Sequence, residues 1–500
     1  MNYLRELVYV VNRNKVKRIE LLDLEGSPSS KVNELYLAIS DGRVKSDEDA
    51  KALLYKGDET PNAYYNLKAR LKERLLNTLF FIDVNQPKQT DRRLAMHETS
   101  KSLAAAQLLI AKGARKVAIK EFTRLLKVAE KYEFTHIALT AARVLRHHHG
   151  TMAIDHKKYE HYRNLCSHYQ EVDNWEDLAD CYYGDIVSAY YNKKTDQEKL
   201  GQRCADYYAE LQPMEGKIDS YKFAFHTALL RLMQYTLVND YISTISVSEE
   251  LIKSFSGRPF ATNTAIQNFL HHQVVGYLQL RDFQKGLEAV RKSQGLSIEG
   301  TSNWFQHQEY HFMLAMQTGQ YQEAYKVYLE TTNHDQYSYL KESEKENWIL
   351  IHAYLAFLRS HDLITIEQKD GRFPNFRLQS FLNKLPNYVR DKEGKNISVL
   401  IIQIVYLISN NKRGEAIDRI EGMKKYCLRY LSKEENRRSY YFLQLLITIP
   451  SGGFDPDRIK SLSKKPLEQL TALPSTRSNI FERMEVVPYE ILWEMILSYI

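Results

Sequence analysis

The chain has 500 residues, of which 44% are hydrophobic and 26% charged, with 12 prolines, 20 glycines and a formal net charge of +7. That balance excludes a disordered tail, a collagen-like fibre and a disulfide-dense secreted scaffold. A single core stops growing well before this length, so the chain must hold several domains or an array of repeats.

The first residues, "MNYLRELVYVVNRNKVKRIE", carry charge from Arg5 onward and lack the apolar run and small-residue cleavage site of a secretory signal. An unexported, cytoplasmic chain is expected. Helices are expected near residues 2–22 and 30–40, the second stopped at "SDGR". A short helix is opened by "SDEDAKALLY" and a long one by "TPNAYYNLKARLKERLLNTLFF". Ser46 followed by Asp47, Glu48 and Asp49 is an N-cap with acids in the first turn, and Thr60-Pro61 pairs a cap with a first-turn proline. In the long helix Tyr64, Leu67, Leu71, Leu75 and Leu79 form one apolar stripe, with Lys68, Arg70, Lys72 and Arg74 off it. These elements define an N-terminal helical module over residues 1–90, with "NQPKQTDRR" at 85–93 as a hinge.

The short and long helices have the rhythm of a helix-turn-helix, which would place the second in a major groove. Their connection, "YKGDETPN", exceeds the usual three or four residues, and Asp47, Glu48, Asp49, Asp58 and Glu59 crowd the start of the module. Basicity is concentrated further on. Residues 101–165 carry about +8, against about +2 in 1–100, −6 in 166–399 and +3 in 400–500. Lys68, Arg70, Lys72 and Arg74 with Arg115, Lys116, Lys120, Arg124 and Lys127 are therefore the candidate nucleic-acid contacts, a solvated helix face being the competing role.

The tract "RHHHGTMAIDHKKYEHYRNLCSHY" collects His147, His148, His149, Asp155, His156, His161 and Cys166. Three consecutive histidines on a helix point about 100° apart and cannot converge on one ion, and His156 and His161 are not at the spacing of a helical metal pair. A helix end stopped by Gly150 accounts for the tract, and no metal or other cofactor is expected. Cys166, Cys181, Cys204 and Cys427 make no C-x-x-C pair, so no disulfide is expected.

From residue 91 a motif recurs. In "MQTGQYQEAYKVYLETT" Gly319 caps one helix and Tyr321, Ala324, Tyr325 and Tyr328 begin the next at helical spacing. Phe283, Gly286 and Val290 take the same relative places, as do Tyr241, Thr244 and Ser248. Further copies surround Ala118 and Phe122, and Ala416 and Ile420; the small residues at 244, 286 and 324 stand about 40 apart. The longest apolar run, "ISVLIIQIVYLI" at 397–408, is too short to span a bilayer and reads as a buried core element, so no membrane partner is expected.

An aromatic residue, a small residue three later and a large apolar residue four beyond it resemble the second helix of a tetratricopeptide repeat. Tyr277, nine residues before Gly286, stands where that family has a first-helix aromatic. The step of about 40 exceeds the family's 34, so the helices are longer. The resemblance implies an all-α, right-handed α-solenoid of tetratricopeptide-like helix pairs over residues 91–450, whose concave face binds a peptide or protein. Tyr277, Arg281, Tyr310, His311, Tyr321 and Tyr325, in the most regular repeats, are the candidate partner-binding residues, with core packing the competing role for each tyrosine.

Residues 450–479 concentrate Pro, Gly and Ser and read as an extended connection with at most a short helix. Pro488 then opens a terminal helix whose Ile491, Leu492, Trp493, Met495, Ile496, Leu497 and Ile500 cover too wide an arc for water. Residues 451–500 thus comprise a linker and a helix that caps the last repeat or docks on a second chain, giving a monomer or a homodimer. No phosphate-binding, dinucleotide-binding or nucleophile-elbow motif is present, so no catalytic residue is assigned. The expected function is a non-catalytic scaffold or adaptor binding a protein or peptide. The alternative is a nucleic-acid-binding regulator, similar in domain order to peptide-sensing bacterial regulators that join a helical module to a tetratricopeptide-like array.

Overall fold

The computed structural model describes Leu4, Val8 and residues 30–55, 61–81, 90–191, 197–365, 373, 376–384, 395–430, 437–473 and 485–500. Among these the chain is all-helical, with 21 α-helices packed in neighbouring pairs and no strand. Two compact units are present, Met1–Trp175 with Pro259–Ala261, and Glu176–Arg258 with Thr262–Ile500.

The first unit begins with α1 (Lys31–Ser40), α2 (Asp47–Tyr55) and α3 (Pro61–Thr78), which continues into a 3-10 turn at Leu79–Phe81. The apolar stripe on α3 is buried at Tyr64, Leu67, Leu71 and Leu75, against Val32, Leu35 and Ile39 of α1 and Ala50 and Leu54 of α2, with Leu4 and Val8 in the same core. The start of α2 is capped reciprocally. Ser46 Oγ accepts from the Asp49 amide at 3.1 Å, and the Asp49 carboxylate accepts from the Ser46 amide at 2.9 Å and the Lys45 amide at 3.0 Å. The expected helix at 2–22 otherwise lies outside the described residues, as do Thr60 and most of the hinge. Thr90 caps α4 (Asp91–Ala111), so the end of the supposed hinge is already helix. α5 (Arg115–Tyr132), α6 (Thr135–Thr151) and α7 (His156–Tyr191) follow, the unit boundary falling inside α7.

The second unit holds the rest of α7 and α8 (Gln197–Leu211), α9 (Tyr221–Leu237), α10 (Tyr241–Ser256), α11 (Asn263–Gln279), α12 (Phe283–Leu296), α13 (Ser302–Gln317), α14 (Tyr321–Thr332) and α15 (Glu342–Ser360). Beyond these come α16 (Leu378–Asn383), α17 (Lys395–Ser409), α18 (Arg413–Tyr430), α19 (Arg437–Ser451), α20 (Pro456–Thr471) and α21 (Tyr489–Leu497). α17 is the apolar run of the sequence. Ile401, Ile402, Ile404 and Val405 are buried, as a helix without a polar face must be. Among the described residues no helix is long and apolar enough to cross a membrane.

One turn recurs in both units. A residue in the left-handed region ends the first helix, and the amide after it bonds back to a carbonyl five residues earlier: Asp240 to Tyr235 at 3.0 Å, Asp282 to Tyr277 at 2.9 Å, Gln320 to Ala315 at 2.7 Å, Lys412 to Leu407 at 2.9 Å, and Ala114 to Leu109 at 2.9 Å. This Schellman closure satisfies carbonyls that the helix end would otherwise orphan. The left-handed residue is Gly319 (φ 76°) or Gly113 (φ 81°) in two of these turns, but Asn239, Arg281 and Asn411 in the other three, so glycine alone under-reports the repeat. The small positions 118, 244, 286, 324 and 416 all lie at buried helix crossings. At Gly286 the approach is close, since an added Cβ would stand 2.6 Å from Leu314 Cδ2.

Two local expectations are corrected. The Pro-rich stretch after residue 450 contains α20, sixteen residues long, because Asp455 caps it through the Arg458 amide and Pro456 occupies the first turn, where a missing amide costs nothing. Gly150 does not end its helix, which runs to Thr151. It lies under the Tyr159 ring, 2.7 Å from where a Cβ would be.

Candidate functional site

Tyr321 and Tyr325 on α14 are buried in the core of the second unit, Tyr325 edge-on to Phe373. Tyr310 on α13 is buried with its hydroxyl 3.1 Å from His271 Nε2 and its ring edge-on to that imidazole. His311, also buried, has Nε2 3.4 Å from Glu323 Oε1. Tyr277 is half-buried near the end of α11, and its carbonyl closes the turn to α12. Only Arg281 is exposed, as the left-handed residue of that turn.

Around Tyr310 and His311 the structure assembles a polar seam that sequence reasoning missed. α11 contributes Gln267, His271 and His272; α12 contributes Ser293, Gln294 and Ser297; α13 contributes His307 and Gln308. Gln267 donates to Ser297 Oγ at 2.6 Å, Gln294 to Gln308 at 2.7 Å, and His272 Nδ1 lies 3.2 Å from Thr236 Oγ1. Ser293 Oγ and His307 Nε2 are 2.8 Å apart, the separation of a nucleophile and its base. Both side chains are buried, and the pair braces α12 against α13. Burial holds His272 and His307 down at about 4 and His271 well below the usual imidazole range, the last aided by His272 and His307. These rings are neutral at physiological pH. The visible signal was "FLHH" within α11, two consecutive histidines that a helical-period count treats as polar interruptions.

The C-terminal segment is fixed by a second buried polar group. Arg438 on α19 donates to Glu485 from Nε at 2.8 Å and Nη2 at 2.6 Å, to Glu490 at 2.8 Å, and to the Leu470 and Leu473 carbonyls at 3.1 Å each. Burial opposes the charge on Arg438, but the two carboxylates overcome it and raise its pKa. Glu485 also accepts from the Tyr489 amide at 2.8 Å, at the start of α21, and Gln317 on α13 donates to the Glu485 carbonyl. With Leu492, Trp493 and Ile496 buried, α21 packs against α17, α19 and α20.

In the first unit Lys68 is engaged internally, Nζ lying 2.7 Å from Asp47 Oδ1, which also accepts from Tyr64. Burial would raise the Asp47 pKa, but hydrogen bonds from Lys68 and Tyr64 bring it down to about 2. Arg70 and Lys72 are exposed and Arg74 is half-buried. On α5, Lys116, Lys120, Arg124 and Lys127 are exposed along one stripe, Arg124 held by Glu121 and Ser102, while Arg115 reaches Met152 Sδ. The histidine tract is dispersed over α6 and α7, with His149 stacked on Tyr162 at 5.5 Å. Among the described residues no group of histidine, cysteine, aspartate or glutamate is gathered to hold a metal ion, and Cys166, Cys181 and Cys204 are free thiols.

The recurrent turns also leave aliphatic side chains in solvent, two of them at corresponding points of successive pairs. Val238 and Leu280 each precede the left-handed residue, and Ile242 opens α10; all three are exposed, Ile242 by 73%. Arg281 adjoins Leu280. No family model matches the chain, and neither a curated protein nor a solved structure is similar to it.

Proposed function

We propose that the chain is a non-catalytic, cytoplasmic scaffold whose second unit is a right-handed solenoid of tetratricopeptide-like helix pairs, capped by α21, that binds a protein or peptide. The observation that supports this reading is the recurrence of one turn in successive pairs, which brings Val238 and Leu280 to equivalent places at the solvent-facing ends of their helices, with the exposed Ile242 and Arg281 beside them. Exposed aliphatic groups at periodic positions suit a partner that contacts several repeats at once. The buried tyrosines and His311 then set the spacing of the helices, and Arg281 and the edge of Tyr277 are the parts of the candidate set that a partner reaches.

The test compares the full-length protein with an Ile242→Asp/Leu280→Asp variant by cross-linking in native cytoplasm, with nuclease present. The expected result is a stoichiometric protein captured by the parent chain and lost from the variant at unchanged melting temperature. Capture that survives the double substitution overturns the assignment of this edge. Co-purifying nucleic acid that accounts for all bound material, and vanishes on digestion, replaces the scaffold with the nucleic-acid-binding alternative.

A further inference from the structure

One end of the helical hairpins in the first unit combines apolar exposure with positive charge. The C-terminus of α4, the N-terminus of α5, the C-terminus of α6 and the N-terminus of α7 meet there, as the contact between Arg115 Nη1 and Met152 Sδ at 3.2 Å shows. Leu108 is 64% exposed, Val117 54%, Met152 50% and Ile154 82%. Ile154 is more exposed than any other large hydrophobic residue described, and it is held at φ 50°. A β-branched side chain in the left-handed region is a backbone outlier, and such outliers gather where function holds them. The Asp155 amide bonds to the His149 carbonyl at 2.9 Å, which locks the turn in this state.

The charge around this tip is mostly positive, since Glu121 and Glu160, further along α5 and α7, are paired with Arg124 and Arg163. Lys112, Arg115, Lys116 and Lys120 come from the α4–α5 hairpin without an intervening acid, and Arg146, Lys157 and Lys158 from the α6–α7 turn. The one carboxylate among them, Asp155, is occupied by the Lys158 amide at 3.0 Å and its ammonium at 3.4 Å. Lys112, Lys116, Lys120 and Lys157 are exposed and have no charged or hydrogen-bonded partner among the described residues. An oligonucleotide would use the cations but leave four aliphatic side chains in water. An anionic bilayer surface uses both, because the aliphatic tips enter the headgroup boundary while the cations stay among the lipid phosphates.

We propose that this end of the first unit docks peripherally on an anionic lipid surface. No membrane span is needed, since shallow apolar insertion and surface charge act together. This proposal does not rest on the repeat edge assigned to a protein partner.

The experiment is co-sedimentation of the full-length protein with phosphatidylcholine vesicles containing about 30% phosphatidylserine, and with pure phosphatidylcholine vesicles. Binding to the anionic vesicles alone is expected. Ile154→Asp and Arg115→Gln/Lys116→Gln should each weaken it, the latter by roughly 25-fold if each cation contributes about fivefold. Ile242→Asp, at another exposed isoleucine, in the second unit, should leave vesicle binding unchanged. Binding that is insensitive to Ile154→Asp, absence of vesicle binding, or binding to a single-stranded oligonucleotide in preference to the vesicles would each overturn the proposal.

Discussion

The hairpins of α4–α6 and those of α9–α14 close with the same backbone turn, yet they place their polar chemistry on opposite sides of the helix wall. Between α4, α5 and α6 the interior is mostly apolar, built from Ala106, Phe122, Leu125, Leu126, Ile137 and Leu145, and the charge lies outside. In the second unit histidine, glutamine and serine enter the interior between α11, α12 and α13 and must be satisfied there, while aliphatic residues stand in solvent at the turns. A buried polar seam is costly unless each group finds a partner, but once satisfied it fixes which faces can meet. The first unit should therefore tolerate acid and charge substitution, and the second should not.

The largest expected effect follows from Arg438. Replacement by Met leaves Glu485 buried without its counter-charge, and the loss should be about 3–5 kcal/mol, read as a lower denaturation midpoint of the second unit. A smaller change, under about 1 kcal/mol, would mean that the segment from residue 485 is not locked by this pair.

Acid sharpens the same contrast. The folded-state pKa of His272 and of His307 is about 4, below the ordinary 6.5. Above pH 6.5 neither the folded nor the unfolded chain protonates them, and stability is flat. Between 6.5 and about 4 the unfolded chain takes up protons that the fold refuses, so stability falls as pH falls, by at most about 3 kcal/mol per ring. Hydrogen exchange at pH 7.5 and 5 should show α11 and α13 losing protection before α4 and α5. In the first unit His149 is also held down, by burial first and then by Lys158 and His148, but its ring is only partly enclosed against Tyr162. Equal loss of protection in both units would remove the distinction.

Gly286→Ala sets two effects against each other. Helix propensity favours Ala by about 1 kcal/mol, whereas overpacking against the buried Leu314 costs about 1–3 kcal/mol. Net destabilisation is expected. A gain in melting temperature would show that α12 and α13 can separate without cost.

How much of this was legible in the sequence depends on how local the signal is. The cap at Ser46, the α3 stripe, the small crossing positions and the buried run of α17 rest on spacing within one or two helices, and the structure reproduces them. The α20 helix was hidden because Pro456 reads as a breaker in composition and as a starter only in the context of Asp455. The polar seam was not legible, since His271 and Tyr310, or Ser293 and His307, are brought together only by the crossing of separate helices. The aliphatic tips were missed for the opposite reason: nothing in a periodic pattern says that Ile154 or Ile242 lacks a neighbour.

The smallest effect bears on why the first unit keeps its exposed isoleucine. Holding a β-branched residue in the left-handed region costs about 1–2 kcal/mol, and glycine at that place regains most of this while losing about 0.5–1 kcal/mol in chain entropy. Ile154→Gly should therefore raise stability slightly, by about 0.5–1 kcal/mol, because a side chain 82% exposed has little packing to lose. Met152→Ala, which removes exposed surface without touching a strained backbone, should leave stability unchanged within about 0.5 kcal/mol. If Ile154→Gly is stabilising and also weakens vesicle binding, the strain is retained for the surface it presents. If it is neutral or destabilising, Ile154 packs more than its exposure indicates, and the tip of the first unit is less free than its surface suggests.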